Sequence, residues 1–561
     1  MVSWGVARDV DLPDWLDVIA GEAPALLVAP HGGRRPRRSE LDGGEARKVN
    51  DLHTAELTAE LAARARCAAI VNRGEDRNRL DLNRVSHVRQ RAPWLLGLVL
   101  GAVREQIERV GEATILFVHG WNAIQPSADI GIGARLDGGR LVPVRQGLPT
   151  VTPSFLPRLV RFAEECRCHG IDVTFGDRYP AAGRDNMLQI FTARFADDAD
   201  PRIRELARLG AEGKISATQL ELAVPLRWPG ELRSRILSVT ARLLRRPEQP
   251  EEPAALDGFE IGGEGGPLRE RLALEFHDGR AGVGGFAGIE RLASGRRHGR
   301  LLLCIGAARL ALFTGEDARR RATPLHCAGL VWTRAESGAV TLEYEGPCLA
   351  FPRTDPFLDL EAGLADADLS TMEARLEWRP IVAAPAGATG GAGSRLGRIE
   401  GRIRHAGSTT SISAPATLQE GSANEASGWR ERRVVRAPLG SGVFLSICSR
   451  LEAGETIDGE IARDGALEPL LSGRVTVRKG ADGLTPEGWR IEALSRSGPL
   501  RVFGHVTHAV PVVRPARDGR VLTFFGLARF GGGDQMGFGT FELSERLASG
   551  ASVREQKGTP Q

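Results

Sequence analysis

Along the first 245 residues, short apolar runs alternate with stretches whose apolar residues recur at helical spacing, the pattern of an α/β layer fold. Strands are predicted at 25–29, 68–71, 114–118, 171–175 and 220–224, and helices at 51–66, 93–110 and 231–244. The strand segments are uninterrupted apolar runs, as expected for a mostly parallel sheet buried on both faces. Proline and charge then concentrate at 245–253, the composition of an exposed linker, placed here at 246–268. Beyond it the texture becomes all-β: short alternating runs such as 301–304 and 340–344 are separated by glycine and charged turns. A first β-rich half is expected at 269–382, a Gly/Ser/Ala-rich linker or loop at 383–428, and a second β-rich half at 429–561. Two blocks of similar size point to a duplicated barrel or sandwich, although no clean repeat period is visible.

A length of 561 residues, about three times the usual domain, agrees with two or three separate cores. Hydrophobic residues at 42% and charged residues at 26% are ordinary for a globular chain. The net charge of +3 comes from 74 basic and 71 acidic residues spread along the sequence. Nucleic-acid binding needs a clustered basic surface, so no nucleic-acid partner is expected. Seven scattered cysteines do not make a disulfide framework and read as reduced thiols. The N-terminal residues lack a basic region followed by an apolar core, and no run approaches the ~20 apolar residues of a membrane span. A cytoplasmic protein without a membrane span is the expectation.

In open α/β sheets, ligands bind at the carboxyl ends of strands. His31, His119 and Glu221 all sit at or just past such ends. A catalytic zinc needs three nitrogen or oxygen ligands and one open position. Two imidazoles are at hand, and the third ligand is sought in 50–56, where Asp51 opens the first helix. His53 and Glu56 form a rival His-x-x-Glu pair there. Glu221 has the chemistry of a general base. Each has a plainer reading as well: His31 as a turn residue, Asp51 as a helix cap, Glu221 as an ion-paired strand carboxylate.

Five motifs occur in order: Pro30-His31-Gly-Gly, Asp51-Leu-His-Thr-Ala-Glu-Leu, Leu80-Asp-Leu-Asn83-Arg84, Val118-His119 and Leu220-Glu221-Leu. Together they resemble those of the N-formylglutamate amidohydrolases, over roughly residues 20–245. The resemblance implies the phosphorylase/hydrolase-like fold shared by zinc carboxypeptidases. It also implies Zn2+ held by His31, Asp51 and His119, with Glu221 as the base. Arg84, positioned by Asn83, would grip the carboxylate of a small substrate. The segment 178–184 resembles the family's glycine-bearing substrate loop and adds Arg184 to the substrate-binding set. An amide of an N-acyl amino acid or a similar carboxylate-bearing molecule is the implied substrate. Two departures stand out. The acidic residue before the last histidine and the serine after it are missing around His119, and the tyrosine and acidic residues after the base motif are replaced by Ala223-Val-Pro-Leu-Arg-Trp228.

Two alternatives accompany this reading. The domain could be a degenerate, non-catalytic metal- or ligand-binding module. Residues 115–121 also look like the oxyanion strand of serine-type α/β-hydrolases, but the required Gly-x-Ser-x-Gly elbow is absent from the chain. The glycine-bearing loop at 122–153 could serve as a lid, and the arginine run 34–38 could draw in an anion. The C-terminal half resembles the paired lipocalin-like barrels of carotenoid hydratase-type proteins, which implies an apolar ligand. His505 and His508 are expected on opposite sides of a strand rather than on one metal.

Overall fold

The computed structural model describes residues 12–34, 48–137, 140–144, 146–245, 270–291, 297–306, 309–317, 325–381, 393–421, 429–440, 442–452, 454–463, 466–516 and 519–547. Residues up to 245 belong to one compact unit and those from 270 onward to a second. The linker expected at 246–268 and residues 35–38 of the arginine run lie outside the described residues.

The first unit is built on a seven-stranded sheet ordered β1-β3-β2-β4-β9-β5-β8. Its strands are β1 (Leu16–Ile19), β2 (Ala23–Ala29), β3 (Cys67–Asn72), β4 (Ala113–Gly120), β5 (Ser127–Gly131), β8 (Asp172–Thr174) and β9 (Ile215–Leu222). A separate hairpin pairs β6 (Ala134–Asp137) with β7 (Arg140–Pro143). The helices are α1 (Thr54–Ala65), α2 (Val85–Arg91), α3 (Pro93–Val110), α4 (Leu156–Cys168), α5 (Pro201–Ala211), α6 (Val224–Arg227) and α7 (Glu231–Leu244). Strand β2 shows why the runs are continuous. Ala25, Leu27 and Ala29 pack with α1, α4 and α7 on one face, while Leu26 and Val28 pack with α2, α3 and α5 on the other. Covering both faces removes the polar alternation of a half-exposed strand.

The sheet is mixed rather than parallel throughout, because β1 runs antiparallel to β3 and β5 antiparallel to β9. Strand β5 also corrects the reading of 122–153 as one lid-like loop: part of that segment is a buried strand of the central sheet.

In the second unit, β10 (Glu270–Asp278), β11 (Val283–Arg291), β12 (Arg297–Ile305) and β13 (Arg309–Asp317) follow one another as antiparallel neighbours. Strands β14 (Leu325–Cys327) and β15 (Leu330–Arg334) extend the sheet beyond β16 (Val340–Phe351). After α8 (Leu360–Ala365) come β17 (Asp368–Pro380), β18 (Gly393–His405) and β19 (Ser408–Gly421). Strand β19 pairs with β10, and β13 pairs with β16 through Leu310–Phe351 and its neighbours, so eight strands close into a barrel. This corrects the linker expected at 383–428, since 393–421 is two long barrel strands. Gly397 there serves packing: a Cβ on it would lie 2.3 Å from the indole of Trp378, which fills the barrel wall fully buried.

The remaining strands are β20 (Glu431–Leu439), β21 (Val443–Leu451), β22 (Glu455–Arg463), β23 (Ala466–Pro469), β24 (Ser472–Lys479), β25 (Pro486–Ser495), β26 (Gly498–Ala516), β27 (Gly519–Gly532) and β28 (Gln535–Leu547). They form a nine-stranded sheet ordered β23-β22-β21-β20-β28-β27-β26-β25-β24. Leu470 N–H donates to Gly459 at 2.9 Å and Leu471 N–H to Leu494 at 2.8 Å, so the chain between β23 and β24 bridges both flanks of the curled sheet. His508 is buried against the Gly306 carbonyl and His505 is exposed.

No helix among the described residues is long and apolar enough to cross a membrane.

Candidate metal centre

Strands β2 and β4 are parallel neighbours, so their carboxyl ends bring His31, just past β2, and His119, the penultimate residue of β4, to one edge. Asp51 arrives there from the segment before α1, its backbone N–H donating to the His31 carbonyl at 2.8 Å. The chain then turns sharply through His53, whose φ of 65° is in the left-handed region, before α1 begins at Thr54. The Asp51 carboxylate does not cap the helix. Only its backbone carbonyl does so, accepting from Thr54 N at 3.1 Å and Oγ1 at 2.6 Å.

Nδ1 of His31 and Nδ1 of His119 lie 3.1 Å apart. Oδ2 of Asp51 is 3.3 Å from the first and 3.1 Å from the second. All three side chains are buried. Among the described residues, they are the group of His, Cys, Asp and Glu side chains whose ligand atoms converge, within 4.8 Å of one another.

The donor chemistry fits a cation. Oδ1 of Asp81 is 2.7 Å from Nε2 of His31. Burial would raise the Asp81 carboxyl, but His31, Arg77 and the Asn83 N–H hold it well below the usual carboxylate range, so it can only accept. Nε2 of His31 therefore donates to Asp81, and Nδ1 is the ring nitrogen turned toward Asp51 and His119. Burial likewise opposes ionisation of Asp51, yet Arg77, His119 and His31 hold its carboxyl well below the usual range. Its Oδ1 accepts from Arg77 at 2.9 Å. A ring nitrogen of each histidine and an ionised carboxylate oxygen therefore face one another in a dry site. A divalent ion would find all three as ligands, and Asp81 supplies the carboxylate–histidine support that metal-ligating imidazoles typically have. His119 lacks such support: its Nε2 is buried with no hydrogen-bond partner among the described residues, in line with the missing acid before it in the sequence.

Glu221 on β9 stands directly opposite His119 on β4, so the two side chains project from the same face of neighbouring strands. Burial pushes its carboxyl up to about 7; the charge of His119 works against that rise and that of Asp51 adds to it. Gln219 Nε2 donates to Glu221 Oε1 at 2.6 Å, and Gln219 Oε1 in turn accepts from Asn83 at 3.3 Å and Asn186 at 3.2 Å. A fixed amide therefore orients the carboxyl group.

Asn83 thus faces Glu221 through Gln219, while Arg84 ion-pairs with Asp81 at 3.3 Å through Nε and is about half exposed. Arg184 is exposed on the segment leading to Asn186, which bridges to Arg84. The rival pair is not part of the cluster: His53 packs edge-on against Trp228 at 4.4 Å, and Glu56 is exposed. Nor does a serine–histidine pair form at His119, whose Nδ1 faces His31 and Asp51. Sequence reading missed the roles of Asp81, Arg77 and Gln219. Asp81 lies inside the Leu80-Asp-Leu-Asn-Arg string, its one available signal.

No protein-family model matches the chain, and no curated protein does. Among solved structures, the chain is similar to N-formylglutamate amidohydrolase from Ralstonia eutropha JMP134, with 15% identity over 41% of this chain and 95% of that one and a TM-score of 0.27. It is also similar to an AttH protein from Nitrosomonas europaea, at 13% identity, 51% and 95% coverage and a TM-score of 0.36. Kievitone hydratase from Nectria haematococca follows at 10% identity, 51% and 90% coverage and a TM-score of 0.29. The fold itself is a mixed α/β domain followed by an all-β region with a closed barrel.

Proposed function

We propose that the first unit is a metal-dependent hydrolase that cleaves the amide bond of an N-acyl amino acid or a similar carboxylate-bearing small molecule. His31, Asp51 and His119 hold the ion, and their two-nitrogen, one-oxygen donor set suits zinc. Such an ion polarises an acyl carbonyl and makes water acidic enough to attack it. Glu221 receives the proton of the attacking water on Oε2, the oxygen not engaged by Gln219. It passes that proton to the leaving nitrogen as the C–N bond breaks, giving a carboxylate and an amine. Asn83 keeps the Gln219–Glu221 pair in place, and the exposed edge of Arg84, with Arg184, receives the substrate carboxylate.

The observation that carries this reading is the convergence of two imidazoles and a carboxylate at the strand ends, with a buried Glu221 in register beside them. The test is hydrolysis of a panel of N-acyl amino acids by the full chain, stripped with chelator and then reloaded with zinc. Amine release that disappears on stripping and returns on reloading supports the proposal; release indifferent to metal, or none with any acyl donor, rejects it.

A further inference from the structure

One buried cation beside this site has no place in the chemistry described above. Arg227, the last residue of α6, has no exposed surface, and among the described residues no carboxylate is bonded to it. Its donors go mainly to backbone: Nε to the Leu222 carbonyl at 3.0 Å, Nη1 to Leu52 at 2.6 Å and Nη2 to Trp121 at 2.7 Å, with Asn122 Oδ1 at 3.5 Å from the same Nη2. Each acceptor adjoins a residue of the site. Leu52 follows Asp51, Leu222 follows Glu221, and Trp121 lies two positions beyond His119. Only a planar fork of fixed donors can span three such segments at once; an ammonium radiates its hydrogens from one atom. Gly120 makes the room, since a Cβ there would lie 2.5 Å from Cζ of Arg227 and 2.6 Å from Nε and Nη1. Burial works against the guanidinium charge, and the nearby carboxylates of Asp51 and Glu221 favour it.

Building on the hydrolase reading, we propose that Arg227 is a positioning residue that locks the ends of β4 and β9 and the entry to α1 together, setting Asp51, His119 and Glu221 in one arrangement.

The test uses the full chain with Arg227→Lys, Gly120→Ala and the control Arg158→Lys, another arginine bonded to backbone carbonyls but remote from the site. Zinc affinity is measured by chelator competition, and ligand geometry by visible absorption of the cobalt-loaded protein. The two site variants are expected to weaken zinc binding about tenfold or more, to alter the cobalt spectrum, and to lower kcat with little change in KM. The control is expected to change none of these. Unchanged affinity and spectrum in both site variants, with only a lower melting temperature, would reduce Arg227 to a structural tie and overturn the proposal. If Arg227→Lys does not fold, Gly120→Ala, which keeps the cation and displaces it, gives the same readouts. Should the unaltered chain bind neither metal, the hydrolase reading fails separately. The positioning claim is then decided by the imidazole NMR resonances of His31 and His119, expected to shift in the site variants alone; resonances that stay in place reject it.

Discussion

Asp81 accepts a hydrogen bond from Nε2 of His31 at 2.7 Å, while the opposite nitrogen of that ring faces Asp51 and His119. The carboxylate thereby orients a ring whose other nitrogen is the proposed metal ligand. Asp81→Ala is expected to weaken zinc binding by about 10–100-fold without removing a ligand. Isothermal titration with zinc checks this; an affinity equal to that of the unaltered chain would mean that His31 needs no such support.

On the proposed reading Glu221 is the base, so only its ionised form is active. Burial pushes its carboxyl up to about 7, and a bound cation acts in the opposite direction. The rate is therefore expected to climb with pH to a plateau whose midpoint lies at or below about 7. Glu221→Gln keeps the metal and loses about 10²–10⁴ in kcat. A pH profile of kcat/KM with metal analysis of the variant decides the matter; an active Gln variant contradicts the assignment.

Arg84 reaches solvent beside Asp81 and is assigned to the substrate carboxylate. Arg84→Met is expected to raise KM about tenfold or more for an N-acyl amino acid and to leave kcat nearly unchanged. The same variant should treat the corresponding N-acyl amino acid amide, which lacks the anion, as the unaltered chain does. Equal losses on both substrates would point to disruption of Asp81 rather than loss of a carboxylate contact.

The second unit carries a buried titration of its own. Burial lowers the His277 imidazole to about 4, although the Gly539 and Ala528 carbonyls favour its charged form. With an unfolded value near 6.5, the unfolded chain binds this proton first, so stability is lost as pH falls from about 6.5 toward 4. The loss amounts to about 3 kcal/mol. Denaturant unfolding of His277→Leu across that range is expected to show a flatter pH dependence than the unaltered chain, and an identical slope would remove His277 as the cause.

Much of the first unit was legible because strands covered on both faces write themselves as unbroken apolar runs, as at 25–29 and 114–118. Strand β5 was hidden by Asp129, a carboxylate with no exposure that accepts from Thr174 Oγ1 at 2.8 Å and from the Arg178 and Tyr179 N–H groups at 3.0 and 2.6 Å. Read alone, such a residue marks a loop, since its partners lie some 45–50 positions away. Strands β18 and β19 read as a linker because small residues such as Gly397, which makes room for Trp378, have the same composition as flexible chain. At the site, the strand-end histidines were visible as a pattern. The groups around them were not, because Asp81, Gln219 and Arg227 make contacts that exist only once the sheet has formed.

The claim on which the rest depends is that His31, Asp51 and His119 share one divalent ion. Metal content of the purified full chain by mass spectrometry, alongside His31→Ala and His119→Ala, tests it most directly. The account requires about one zinc per chain in the unaltered protein and its loss in both variants. A metal-free native chain after zinc loading, or variants that retain the ion at full stoichiometry, would contradict it.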